Sequence, residues 1–79
     1  MRILDDINDR SIKRVFLYLT PDEAKSLHKQ LGDLIANPKT HHIHIEDKDF
    51  EREITIAIYT AFNISEFDER SRRLIERDE

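Results

Sequence analysis

The chain has 79 residues, of which 38% are apolar and 38% charged, with a formal net charge of -4 and no cysteine. That length allows one domain, 1–79, with a small core. The missing thiols exclude disulfides and thiolate zinc sites, and the negative charge argues against nucleic acid and anionic membranes as bulk electrostatic partners. No apolar run approaches the roughly 18–20 residues of a bilayer span, and the start Met1-Arg2-Ile3-Leu4-Asp5-Asp6 lacks the apolar stretch of a secretory signal. The expected compartment is the cytoplasm.

Residues 1–11 admit two readings. Ile3, Leu4 and Ile7 could form a helical turn. Alternatively, residues 2–6 could form an added edge strand or arm, folded back through Asn8-Asp9-Arg10. Turn chemistry and protection of a sheet edge favour the strand.

Residues 12–19 read as a strand because β-branched and aromatic side chains dominate them. Val15, Leu17 and Leu19 would share one face. Ile12, Arg14, Phe16 and Tyr18 would share the other. Apolar bulk on both faces places this strand centrally, or under cover.

Thr20-Pro21-Asp22-Glu23 is a helix start. Thr20 and Glu23 have capping-box spacing, Pro21 occupies the first helical position, and the acids suit the positive end of the dipole. Ala24, Leu27, Leu31, Leu34 and Ile35 form the apolar stripe. The helix should end near Ala36 or Asn37, because Pro38 restricts the residue before it.

Residues 41–46, His-His-Ile-His-Ile-Glu, alternate with the period of a strand. Ile43 and Ile45 point to one side, while His42, His44 and Glu46 point to the other. A polar connection over 47–51 follows, with Phe50 expected over an edge of the core. Residues 53–60 form the next strand, with Ile54, Ile56 and Ile58 inward. Asn63 and Glu66 have capping-box spacing for a last helix, with Phe62 and Phe67 placed as a hydrophobic staple. Asp68 with Arg72, and Glu69 with Arg73, are i,i+4 ion pairs. Residues 76–79 read as a frayed end.

These elements predict an α+β fold, a small two-layer β-α-β-β-α sandwich, with an additional N-terminal edge strand as an option. The core would hold Val15, Leu17, Leu19, Leu27, Leu31, Leu34, Ile43, Ile45, Ile54, Ile56, Ile58, Phe67 and Leu74. The uncovered sheet face would carry Phe16, Tyr18, His42, His44 and Tyr59. Aromatic side chains on an open face mark a contact surface, so these five residues are the candidate interface.

Three other chemistries compete for that face. His42, His44 and Glu46 offer imidazole and carboxylate donors suited to zinc or another divalent ion, although no H-E-x-x-H motif or calcium loop accompanies them. Catalysis lacks a nucleophile elbow, and no partner can be assigned to His28, so the reading leans away from an enzyme. The aromatic face could stack bases, but Arg70, Arg72 and Arg73 are interleaved with acids. The sequence therefore points to a small accessory or regulatory protein that works by protein contact, as a homodimer or with another protein. A metal- or small-ligand-binding domain is the alternative.

Overall fold

The computed structural model describes the backbone of residues 1–79 and every side chain except that of Pro38. Two helices and two antiparallel two-stranded sheets make the fold α+β. In chain order the elements are β1 (Ile3–Asp5), β2 (Arg10–Ile12), α1 (Pro21–Ala36), β3 (His42–Glu46), β4 (Glu53–Ala57) and α2 (Glu69–Arg77), with short 3-10 turns at Pro38–Thr40 and Ile64–Glu66. The chain divides into two compact units. One is Tyr18–Ile58, and the other combines Met1–Leu17 with Tyr59–Glu79.

In the Tyr18–Ile58 unit, α1 packs on the β3–β4 hairpin. The helix starts where the capping box requires. Thr20 Oγ1 accepts from the Glu23 backbone N–H at 3.2 Å, and Glu23 Oε1 accepts from the Thr20 N–H at 2.9 Å. Replacing Thr20 with alanine should cost about 1 kcal/mol of unfolding free energy. Urea denaturation of both proteins checks this, and an unchanged midpoint would contradict it.

Leu34 of α1 is fully buried, and Ile43 and Ile45 of β3 are buried, as the strand period dictates. Leu27 and Leu31 are half-buried, whereas Ile35 turns outward. β3 and β4 pair with His42 opposite Ala57, His44 opposite Thr55 and Glu46 opposite Glu53. Their connection is organised by Asp47. Its Oδ1 accepts from the backbone N–H groups of Glu51 at 2.8 Å and Arg52 at 3.2 Å, and the Arg52 guanidinium reaches its Oδ2. Phe50 stands in the left-handed region (φ 56°) with an exposed ring, so it does not cover the core.

In the other unit, β1 and β2 form a hairpin with Ile3 opposite Ile12 and Asp5 opposite Arg10. Asp5 fixes the turn by accepting from the backbone and side-chain amides of Asn8 at 3.2 and 2.9 Å. Asp68 caps α2 by accepting from the Ser71 N–H at 2.7 Å. The hairpin also grips the end of this helix. Arg2 Nε donates to the carbonyls of Leu74 and Ile75, each at 3.1 Å, which places a cation at the negative end of the helix dipole. Asp78 closes α2 in the left-handed region and accepts from the Ser11 hydroxyl at 2.5 Å, with Lys13 Nζ at 3.8 Å. Arg70 pairs with Asp9 and donates to the Glu79 carbonyl at 2.6 Å. Leu74 is the buried apolar side chain of α2.

Four carboxylates are held below the usual range. The Asn8 side-chain amide lowers Asp5, the Ser71 backbone N–H lowers Asp68, and the Ser11 hydroxyl lowers Asp78. Desolvation pushes Asp47 up, but the hydrogen bonds from Glu51 and Arg52 more than offset it. A lowered native pKa stabilises the fold above the unfolded value, and that contribution is lost as pH falls through the native one. Thermal stability should be level from neutrality to about pH 5 and fall below about pH 4. Melts followed by circular dichroism check this, and a midpoint that does not move under acid would contradict it.

Four further sequence expectations are corrected. Residues 12–19 do not form a strand: Ile12 ends β2, and residues 14–20 lie outside helix and strand. The β1–β2 hairpin therefore closes on itself, and the strand order contains no crossover. The last helix does not begin at Asn63. Asn63 Oδ1 accepts from the Thr60 N–H at 2.7 Å, a 3-10 turn follows, and α2 starts after Asp68. Phe62 is almost fully exposed, so no staple forms. Ile58 lies beyond the end of β4 and is exposed rather than inward.

Candidate interaction surface

The histidine face of the β3–β4 hairpin is built by alternation alone. Burying Ile43 and Ile45 under α1 leaves His42, His44 and Glu46 exposed on the other side, with Glu53, Thr55 and Ala57 beside them on β4. The rings of His42 and His44 meet edge to face with centroids 4.8 Å apart. His41, which precedes β3 in the left-handed region (φ 72°), meets His42 at 5.4 Å in the same manner.

Glu46 and Glu53 are directly opposed, an unfavourable like-charge pair. Glu53 is engaged instead by His44, whose Nδ1 lies 2.5 Å from Glu53 Oε1 and 2.9 Å from Thr55 Oγ1. The Nδ1 of His44 is thus committed to its neighbours within the hairpin. His42, His44 and Glu46 share the face expected of them. Among the described residues, however, no group of three or more histidine or carboxylate side chains converges in a way that could hold a metal ion.

The aromatic residues stand elsewhere in the chain than on a sheet. Phe16 and Tyr18 lie in the segment between β2 and α1, 71% and 91% exposed, and Tyr59 follows β4 at 39%. Phe16 and Tyr59 belong to one unit, and Tyr18, His42 and His44 to the other. The hairpin face itself is therefore polar. The aromatic character expected of it belongs to a segment that carries no strand.

A shallow depression of about 230 Å³ is lined by Glu69, Arg72, Arg73, Glu76 and Arg77. All five belong to α2, so it is a groove along one charged helix face. It brings together no acid–base pair with a reactive group, and none of the histidines lines it. Among the described residues, no helix is long and apolar enough to cross a membrane.

The residues that sequence reasoning passed over are Arg2, Ser11, Lys13 and Asp78. They meet only because the β1–β2 hairpin contacts the end of α2, and no local pattern signals that contact. Their hydrogen bonds and ion pairs satisfy one another, which marks them as structural. Searches against protein-family models, curated proteins and solved structures return no match.

Proposed function

We propose that this chain is a small accessory or regulatory protein that acts by protein contact and associates with a second copy of itself. The observation that carries this reading is the consecutive exposure of Val15, Phe16, Leu17 and Tyr18. Full burial of such a side chain is worth about 1.5–3 kcal/mol; Phe16 and Tyr18, 71% and 91% exposed, forgo most of it, and Val15 and Leu17, 51% and 50% exposed, about half. Leu34, Ile43, Ile45 and Leu74 are the buried apolar side chains among the described residues. A chain with so small an interior gains much from further burial across an interface.

Phe16 and Tyr18 supply the contact in this reading, because aromatic rings dominate the buried centres of interfaces. Tyr59 is a further aromatic member. His42 and His44 enter only as an exposed polar face, His44 bonded to Thr55 and Glu53 within the hairpin and His42 to His41 just before it. Light scattering on a chromatographic peak across micromolar concentrations tests the proposal. The expected mass is twice the 9.5 kDa of one chain, decreasing on dilution. A mass of one chain throughout would overturn it.

A further inference from the structure

Resting on the self-association reading, we infer that residues 14–20 form the dimerisation segment of this protein, the backbone of residues 15–19 pairing antiparallel with the same residues of a second copy. Two independent observations meet in this segment. Its sequence, Arg-Val-Phe-Leu-Tyr-Leu-Thr, is as rich in strand-forming side chains as β3 or β4. Yet residues 14–19 make no hydrogen bond or ion pair with any described residue. Exposed apolar side chains combined with unused backbone donors and acceptors are what strand addition consumes.

Charge selects the occupant. The apolar run is flanked by Lys13 and Arg14 before it and by Asp22 and Glu23 after it. Arg14 and Asp22 have no ion-pair partner among the described residues. A parallel pair would set Arg14 beside Arg14 and Asp22 beside Asp22. An antiparallel pair of identical segments sets each basic end beside the acidic start of the other copy's α1. The segment is therefore complementary to itself in one direction only, which is the condition for a closed two-fold interface.

Side chains fix the register. Centring the two-fold axis on Leu17 opposes Val15 with Leu19, Phe16 with Tyr18 and Arg14 with Thr20. One face then gathers Val15, Leu17 and Leu19 of both copies, and the other stacks Phe16 against Tyr18 twice. A slip of one residue would break both sets.

The absence of cysteine makes a clean test possible. Leu17→Cys places one thiol of each copy on the two-fold axis, where cross-strand Cα separations of about 4.5–5.5 Å suit a disulfide. Mild oxidation should give mostly covalent dimer, while Lys25→Cys on α1 should not cross-link. Leu17→Pro removes an N–H that the isolated chain leaves unpaired. It should leave the circular dichroism unchanged and raise the dimer Kd by at least about tenfold. Arg14→Glu should also weaken the dimer by up to about tenfold, and adding Asp22→Arg should restore it. A wild type that is monomeric at all concentrations would overturn both self-association and this pairing. A dimer that neither cross-links through Leu17→Cys nor responds to Leu17→Pro would overturn the pairing alone and leave self-association standing.

Discussion

Leu34→Ala should leave the Tyr18–Ile58 unit largely unfolded. Leu34 is 2% exposed and sits where α1 meets the buried Ile43 and Ile45 of β3. Truncating a buried leucine costs about 2–5 kcal/mol, through lost transfer energy and the cavity left behind. A chain of this size holds only a few kcal/mol in reserve. The loss should therefore appear as greatly reduced helical circular dichroism at room temperature. Ile35, the next residue, is the internal control. It is 64% exposed, and Ile35→Ala should change stability by less than about 0.5 kcal/mol. Equal losses from the two substitutions would contradict the orientation of α1.

The second large effect is on association. Replacing Phe16 and Tyr18 together with serine should raise the dimer Kd by at least about 700-fold, because buried aromatic anchors contribute about 2 kcal/mol or more apiece at interfaces, about 4 kcal/mol for the two. The folded monomer should be indifferent, since both rings face water in the isolated chain. Analytical ultracentrifugation and thermal melts on the same double variant separate these two quantities. A lowered melting temperature in dilute, monomeric protein would show that the rings are instead packed within one chain.

Features fixed by local interactions were legible in the sequence. The capping box of α1 involves residues three apart, and the alternation of β3 requires only that one face be buried. Both occur where their patterns place them. The N-terminal hairpin was readable in part: the turn residues near Asn8 favoured a strand over a helical turn, but that strand pairs with Arg10–Ile12 in a sheet of its own rather than edging a strand at 12–19. What misled was the strongest apolar run. Residues 12–19 have the composition of a central strand, but a strand exists only when a neighbour accepts its ladder, and the single chain supplies none. The end of the chain failed for a different reason. Asn63 and Asp68 are both competent caps five residues apart, and the Thr60 backbone captures the Asn63 carbonyl, leaving Asp68 to start α2. The contacts of Arg2 with α2 join residues more than 70 apart in sequence, beyond the reach of any local pattern.

The same reasoning divides the candidate site. The polar histidine face was readable because Ile43 and Ile45 dictate it. The expected sharing of a sheet face by Phe16, Tyr18 and the histidines depended on a strand that the chain does not form alone. The aromatic residues remain the carriers of the proposed contact, with their role shifted from a sheet face to an unpaired segment.

Amide hydrogen exchange of residues 15–19, followed from dilute to concentrated protein, tests this account most directly. The account predicts that these amides exchange freely in dilute solution and that alternate ones among them become protected as the mass doubles, while β3 and β4 stay protected throughout. Amides at 15–19 that exchange freely at every concentration, whether or not the mass doubles, would contradict it.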